Sequence, residues 1–149
     1  MGEITIADKL YQPFYKVHVS DLISSEKVAE SQWSVKAAGG EARLVCSMVW
    51  LQAEVVKLNL SENWLEVVER GGQLRVVGIN SSPGGVDWIK EGQFIQVLGQ
   101  VKTNTKVLCT KIINLDNKKL SRANSTQLWD LEVSELHKVL SKKINIRDH

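Results

Sequence analysis

The residues that most often carry catalysis or hold metal ions are few and far apart in this chain of 149 residues. Its histidines are His18, His137 and His149, and its cysteines are Cys46 and Cys109. No pair among them has the spacing of a metal site, and the sequence lacks a nucleophile elbow and a phosphate-binding loop. We therefore expect no catalytic residue, no metal site and no cofactor. Two cysteines are too few for a disulfide framework, so we expect both thiols to be reduced and buried.

The chemistry that the sequence does offer is hydrophobic association through one helix. Large apolar side chains recur near the C-terminus at spacings of four, three and four, which is typical of a single helical face. We call this set the apolar stripe: Trp129, Val133, Leu136 and Leu140. The acidic residues of the segment lie early and its lysines late, which matches the helix dipole. The stripe can pack against a partner helix, the interpretation adopted here, or it can cover an open end of the chain's own fold.

The segments upstream of this helix have the alternation of strands. Apolar side chains alternate with polar ones in five stretches, and Gly99 inside the fourth predicts a bulge or a sharp coil. The stretches are residues 44–58, 64–68, 74–79, 94–101 and 107–115. Five strands joined by hairpin turns and one longer loop predict an all-β, five-stranded closed barrel of the OB-fold type with a C-terminal α-helix. Ser20 and Asp21 predict an additional short N-terminal helix over 20–29.

These elements divide the chain into three parts. Residues 1–12 show no clear periodicity and are expected to form a flexible N-terminus. Residues 13–116 are expected to form the barrel, and residues 117–149 a loop, the partner-binding helix and a tail. No apolar run approaches the roughly 18 residues of a membrane span, and the first residues lack the pattern of a secretory signal. We therefore expect an intracellular protein without membrane contact.

The distribution of charge bears on nucleic-acid binding. The net charge is +2, and residues 41–116 carry eight basic and eight acidic side chains, whereas residues 117–149 carry seven basic and four acidic ones. A groove that binds nucleic acid needs a surplus of cations, so the balanced barrel predicts little or no direct DNA binding. A subunit like those of replication protein A, which grips single-stranded DNA on barrel tryptophans, remains the alternative.

Four segments together resemble one known family. The helix sequence WDLEVSELHK at 129–138 resembles the C-terminal helix of the RecQ-mediated genome instability protein 2 family. The sequences VWLQAEVV at 49–56, GQFIQVLGQV at 92–101 and KIINLD at 111–116 resemble its first long strand and its last two strands. Their order and spacing agree with the family, so the resemblance covers both the predicted barrel and the helix.

The resemblance implies a scaffold rather than an enzyme. Members of that family are small OB-fold subunits that heterodimerise with the C-terminal OB domain of the larger RMI subunit. Through it they join topoisomerase III alpha and a Bloom-type RecQ helicase, which together dissolve double Holliday junctions and maintain genome stability. For this chain the resemblance implies nuclear localisation, no catalysis and assembly through the terminal helix.

Two further pairs of residues are candidates for partner surfaces. Met48 and Trp50 lie on the outer face of the first long strand, where they can extend the contact made by the helix. Lys111 and Trp129 match family positions that the resemblance places on a docking surface for a peptide from a Fanconi-anaemia-associated translocase. A homodimer formed through the apolar stripe is a third alternative for the assembly.

Overall fold

The computed structural model describes residues 14–36, 43–116 and 122–148, and within the last helix the side chains of 122 and 124–139. Nine strands and two helices lie in these residues. The strands are β1 (Phe14–Lys16), β2 (Glu26–Ala29), β3 (Gln32–Lys36), β4 (Arg43–Cys46), β5 (Met48–Asn59), β6 (Trp64–Glu69), β7 (Gly72–Val77), β8 (Phe94–Thr103) and β9 (Lys106–Asn114). The helices are α1 (Val19–Ile23) and α2 (Arg122–Asp148), and a short 3-10 turn spans Ile79–Ser81.

Five of these strands close into a barrel in the order β5, β6, β7, β9 and β8, and β8 returns to pair with β5. The 12 residues of β5 make closure possible, because its first half pairs with β8 and its second half with β6. Strands β7 and β9 run parallel, whereas the other barrel pairs are antiparallel. The predicted five-stranded closed barrel with a C-terminal helix is therefore confirmed.

Alternating apolar side chains fill the barrel. On β5 the side chains of Val49, Leu51, Ala53 and Val55 all point inward and are completely buried. Full burial of a large aliphatic side chain contributes about 1.5–3 kcal/mol. A register slip of one residue would expose the whole set, so the alternation itself fixes which face of the sheet is interior.

The bulge predicted at Gly99 lies between β8 and β9, where the pairing register shifts. A Cβ atom at position 99 would clash with the backbone oxygen of Leu108 in β9, so only glycine permits this close approach of the two strands. Leu98 pairs with Lys111 and Gly99 pairs with Cys109, which leaves Thr110 as the extra residue. The bulge therefore determines which side chains of β9 point outward.

The N-terminal part differs from the sequence prediction. Helix α1 ends at Ile23, and the hydroxyl of Ser25 donates to the carbonyl of Leu22 at 2.5 Å just beyond its end. The remaining residues of the predicted helix form β2, which joins β3 and β4 in a small antiparallel sheet that the residue pattern does not predict.

The long strand predicted over residues 44–58 is divided into β4 and β5 by a bend at Ser47. The bend shifts the alternation by one residue. Cys46 is therefore buried and Val45 is 49% exposed, which is the reverse of the faces that an unbroken strand predicts.

Three predictions concern residues or side chains wholly or partly outside the described part of the structure: the flexible N-terminus at residues 1–12, the loop predicted at 116–125, of which 117–121 are not described, and the side chain of Leu140. Helix α2 begins within that loop at Arg122 and continues to Asp148, where a tail is predicted after Leu140. Among the residues that the structure describes, no helix is long and apolar enough to cross a membrane.

Candidate partner-binding surface

The first three residues of the apolar stripe of α2 pack onto strands of their own chain. The side chains of Trp129 and Val133 are 1% and 0% exposed. The ring of Trp129 lies 6.4 Å from the ring of Trp50 on the outer face of β5, at an interplanar angle of 48°. Tilted aromatic pairs at such separations stabilise beyond their area burial. Trp129 and Val133, which the sequence assigns to a partner interface, therefore anchor the helix to its own barrel.

The next stripe residue continues this contact toward the N-terminal strands. Leu136 is partly buried and packs with Tyr15 of β1 against the buried Leu44 of β4. Residues 129 to 136 span about two helical turns. Apolar contacts with the chain's own strands therefore hold α2 along two turns.

Polar contacts hold the same helix to the end of β1 and to the β6–β7 turn. The Nδ1 atom of buried His18 lies 2.6 Å from Oε2 of Glu69, and its Nε2 atom lies 3.6 Å from Oδ1 of Asp130 on α2. The backbone N–H of Val19 donates to Oε1 of Glu69 at 2.7 Å, and Nη1 of Arg70 lies 3.4 Å from Oδ1 of Asp130. We call the four side chains His18, Glu69, Arg70 and Asp130 the helix latch.

The helix latch contains the donor types of a metal site. Ligand atoms of His18, Glu69 and Asp130 lie within 4.8 Å of one another, and imidazole and carboxylates are common zinc ligands. However, Nη1 of Arg70 lies 3.4 Å from both His18 Nε2 and Asp130 Oδ1. The positive charge of a guanidinium at this distance opposes a metal ion at the same atoms. The latch is therefore better explained as a network of hydrogen bonds and one ion pair that fixes the helix.

Lys16 of β1 makes two contacts with α2 and one with Trp50 of β5. Its Nζ atom lies 3.4 Å from Oε1 of Glu132 and 4.8 Å from the centroid of the Trp50 ring. Its backbone carbonyl accepts a hydrogen bond from Nε2 of His137 at 2.8 Å. His137 is completely buried, and this burial lowers the pKa of its imidazole because the charged form loses its hydration. The neutral ring with its proton on Nε2 is the form that fits the hydrogen bond.

Buried His137 predicts a pH-dependent stability. A histidine in the unfolded chain takes up a proton near pH 6.5, whereas the folded chain takes up this proton only at lower pH. The free energy of unfolding is therefore expected to fall as the pH decreases through about 6.5. Urea midpoints between about pH 7.5 and 5.5 measure the effect, with the non-titrating variant His137→Gln as the control. Equal pH slopes for the two proteins would contradict this role of His137.

Three apolar side chains of α2 stay exposed away from the stripe. Leu128, Leu131 and Val139 are 48%, 57% and 49% exposed, and helical spacing places them on one side of the helix, which Glu132 and Glu135 share. We call these three residues the exposed helix face. Apolar side chains that cluster on one surface mark an interaction site more often than scattered ones do. Among the described side chains of α2, the exposed helix face rather than the stripe therefore offers apolar contact to a partner.

A row of outward side chains connects α2 with β9. Trp50 lies opposite Leu98, and Leu98 lies opposite Lys111. Residues directly opposite one another in paired strands point to the same face, so Trp129, Trp50, Leu98 and Lys111 follow one another across the surface. The structure brings Lys111 to the same surface as Trp129 but places it two strands, about 10 Å, from Trp50.

A groove of about 220 Å³ lies between α2 and this surface of the sheet. This volume is small for a cofactor and suits a side chain of a protein partner. At its floor, Nε2 of Gln52 donates a hydrogen bond to Oε1 of Gln96 at 3.0 Å, so these two polar side chains are paired with each other. The lining residues are Trp50, Gln52, Gln96, Leu115, Ser125, Leu128 and Glu132.

Met48, the other strand residue predicted for the partner surface, lies on the same outer face of β5 as Trp50. It pairs with Gln100 of β8 and is partly buried. Along this face of β5, Met48 lies two residues before Trp50, whereas Gln52 lies two residues after it. The groove is lined by Trp50 and Gln52, so Met48 lies at the edge of this face and does not line the groove.

Both cysteines are free and buried. Burial raises the pKa of the Cys46 thiol to about 12 and that of Cys109 to about 11. Because the thiolate is the nucleophilic form, neither side chain is activated for catalysis at neutral pH. The expectation of two buried thiols is confirmed.

Comparison with known sequences identifies similar proteins over most of the chain. The family model described as RecQ-mediated genome instability protein 2 matches residues 13–137. The protein of that name from Gallus gallus is 24% identical over 137 residues, which cover 91% of this chain and 99% of the relative. The protein of that name from Bos taurus is 24% identical over 127 residues, which cover 85% of this chain and 79% of the relative.

Solved structures similar to this chain are OB-fold proteins. The telomere capping protein Ten1 from Saccharomyces pombe superposes with a TM-score of 0.55 at 8% identity, covering 80% of this chain and 97% of that one. A chain of a replication protein A heterotrimer bound to ssDNA superposes with a TM-score of 0.62 at 16% identity, covering 85% and 96%. At these identities the likeness shows the fold alone, and that fold is the OB-fold that the sequence predicts.

Proposed function

Because the chain belongs to the RecQ-mediated genome instability protein 2 family, we propose that it is a non-catalytic scaffold subunit of a complex of a RecQ helicase, topoisomerase III alpha and the RMI proteins. In this proposal it heterodimerises with the C-terminal OB domain of the larger RMI subunit and acts in the nucleus. The assembled complex dissolves double Holliday junctions and maintains genome stability. The family match and the OB-fold support the role of a genome-stability subunit.

The observation that carries the proposal is the exposed helix face beside the groove. Leu128 joins the two features, because it belongs to that face and also lines the groove. A partner helix lying along α2 buries Leu128, Leu131 and Val139 and inserts a side chain next to Trp50. Apolar anchors in such pockets usually supply most of the binding free energy.

The contacts within the chain prepare α2 for this association. Trp129 and Val133 fix the helix on the barrel, and the helix latch fixes its side nearest the β6–β7 turn. A helix that is already docked loses less conformational entropy on binding than one that must first become ordered. In this proposal the apolar stripe positions α2, and the exposed helix face contacts the partner.

We propose further that the outer surface of β5, β8 and β9 binds a peptide from a Fanconi-anaemia-associated translocase. Lys111 is exposed at the far end of the row that begins at Trp129, with Leu98 and Trp50 between them. An extended peptide along this row meets an apolar surface and then the ammonium group of Lys111. Because Trp129 is buried, its role there is to support the ring of Trp50 from behind.

Co-expression with the C-terminal OB domain of the larger RMI subunit tests the proposed function. Affinity purification followed by gel filtration with light scattering is expected to give one peak that contains one copy of each chain. Separate elution of two folded proteins would contradict the heterodimer. A stable dimer of this chain, unaffected by the larger subunit, would favour the homodimer alternative instead.

A further inference from the structure

The groove between α2 and the sheet has a polar floor whose hydrogen-bonding groups are only partly paired. Gln52 of β5 and Gln96 of β8 lie directly opposite each other, and they are 9% and 8% exposed. One hydrogen bond joins them, from Nε2 of Gln52 to Oε1 of Gln96. A carboxamide offers two N–H donors and an oxygen with two lone pairs. Oε1 of Gln52 and Nε2 of Gln96 therefore have no hydrogen-bond partner among the described residues.

These unpaired atoms belong to the wall of the groove, because both glutamines line it. Interchange of nitrogen and oxygen in both carboxamides would reverse their hydrogen bond, but it would again leave one oxygen and one NH2 group free. The Nε1 atom of Trp50, another lining residue, is buried and likewise has no acceptor in the described part of the chain. A group that fills the groove excludes water from these atoms, so it must supply hydrogen bonds of its own.

The other lining residues determine which chemical class fits. On the side of α2 they are Ser125, Leu128 and Glu132, and Leu115 adds an apolar wall just after β9. The carboxylate of Glu132 is already paired, because its Oε1 atom lies 3.4 Å from Nζ of Lys16. The groove therefore combines apolar walls and a polar floor with a charged residue that already has its counter-ion.

This lining disfavours two of the three classes of side chain. An apolar side chain would cover the free atoms of Gln52 and Gln96 without pairing them, which leaves buried polar groups unsatisfied. A charged side chain would lose its hydration beside Glu132, whose charge Lys16 already balances. A neutral side chain with a donor and an acceptor avoids both costs. Asn and Gln carry the two on separate atoms of one planar group, so that one group can pair with both glutamines.

We propose that the groove binds the carboxamide of an Asn or Gln side chain of the partner, which donates to Gln52 and accepts from Gln96. The inference rests on the proposed function for the identity of the partner, and it adds the chemistry of the residue that enters the groove. Leu128 belongs both to the groove and to the exposed helix face, so the carboxamide lies beside the apolar contact. A single polar residue in an apolar helix interface fixes register and partner choice. Gln52 and Gln96 therefore determine specificity, whereas the exposed helix face supplies affinity.

Titration of the chain alone with propionamide tests the chemistry of the groove without any partner. In NMR spectra of the ¹⁵N-labelled protein, the side-chain NH2 signals of Gln52 and Gln96 are expected to shift, with a Kd on the order of 10 mM for so small a ligand. Propionate and propylammonium are of similar size but charged, and they are expected to leave these signals unchanged up to about 100 mM. Gln100 is the internal control, because it lies opposite Met48 on β8 and does not line the groove.

Binding to the C-terminal OB domain of the larger RMI subunit tests the same pair in the complex. The double variant Gln52→Met with Gln96→Met keeps the shape of the floor and removes its polar atoms. Its stability is expected to stay nearly unchanged, while its affinity falls about 10-fold because the partner's carboxamide is left unpaired. Gln100→Met makes the same change outside the groove and is expected to bind normally.

Replacement of each Asn and Gln of that domain by Met, one at a time, locates the partner's residue. One replacement is expected to weaken binding to the unchanged chain about 10-fold and to have no further effect on the double variant, because the two sides of the contact are coupled. The same loss of affinity with both forms of the chain, for every replacement, would contradict the contact.

The two measurements separate the inference from the proposed function. Absence of a heterodimer would contradict the proposed function, and the propionamide titration would still decide what the groove binds. Unchanged signals of Gln52 and Gln96 with propionamide, or equal shifts with propylammonium, would overturn the carboxamide site. Unchanged or higher affinity of the double variant would also overturn it and indicate an apolar occupant. An equal loss in Gln100→Met would overturn it as well and indicate a general effect of the substitution.

Discussion

Leu131→Asp is expected to abolish formation of the heterodimer while the chain stays folded. Leu131 is 57% exposed, so the monomer loses little apolar burial when this side chain becomes polar. In the proposed interface the same position is an apolar anchor, and a carboxylate there is desolvated without a partner. Loss of such an anchor costs about 2–4 kcal/mol of binding free energy, or about 30-fold or more in Kd. Calorimetric titration with the C-terminal OB domain of the larger RMI subunit measures the change.

Two further variants test whether the effect of Leu131→Asp on binding is specific to the exposed helix face. Leu60→Asp is the matched control, because it makes the same change at a side chain that is 47% exposed in the turn after β5, and it is expected to bind normally. Leu136→Asp disturbs the contact with Leu44, so it is expected to lower both the stability of helix docking and the affinity. Binding of Leu131→Asp with unchanged affinity would exclude the exposed helix face as the partner surface.

Trp129→Ala is expected to have the largest effect on stability. The side chain is 1% exposed and lies against the ring of Trp50, so its removal leaves a cavity between α2 and the barrel. Truncation of a buried tryptophan costs about 3–5 kcal/mol. Urea unfolding followed by circular dichroism measures this loss as a lower midpoint for the helix signal.

Trp88→Ala serves as the matched control for Trp129→Ala. Trp88 is partly exposed in the loop before β8, so its truncation is expected to cost clearly less. A second comparison uses the indole group itself. The Nε1 atom of Trp129 is buried and has no hydrogen-bond acceptor in the described residues, so Trp129→Phe is expected to cost less than Trp129→Ala. Similar losses in Trp129→Ala and Trp88→Ala would contradict the anchoring role of Trp129.

The barrel could be predicted from the sequence because its signals are local. Alternation over β5, β6, β7, β8 and β9 follows from burial of one face of each strand, and Gly99 marks the bulge because only glycine fits there. The small sheet of β2, β3 and β4 could not be predicted in this way. All four residues of β2 are exposed, so the strand leaves no alternating pattern, and the bend at Ser47 interrupts the pattern that begins in β4.

The candidate site could be predicted only in part, because its geometry depends on contacts between distant segments. An apolar stripe at Trp129 and Val133 has the same spacing whether it packs on its own barrel or on a partner. The exposed helix face can be identified only when the structure shows that Trp129 and Val133 are buried against the chain's own strands. Likewise, the alignment of Trp50 with Lys111 depends on two strand registers and a bulge, which no local pattern specifies.

The polar contacts of α2 show the same dependence on tertiary structure. His18 and Asp130 are distant in sequence, as are Lys16 and His137, and no motif links either pair. Yet these contacts fix the helix against β1 and the β6–β7 turn. His18 and His137 therefore position the helix, which isolated residues in a sequence do not reveal.

Hydrogen–deuterium exchange of the chain alone and in the purified heterodimer tests most directly whether this chain assembles through the exposed helix face. We expect exchange to slow in the complex over residues 124–139 of α2 and around Trp50 and Gln96, because the partner covers these segments. We expect no change over residues 73–77 of β7 and 106–108 of β9. Protection of these two strand segments together with unchanged exchange over α2 would contradict the proposed mode of assembly.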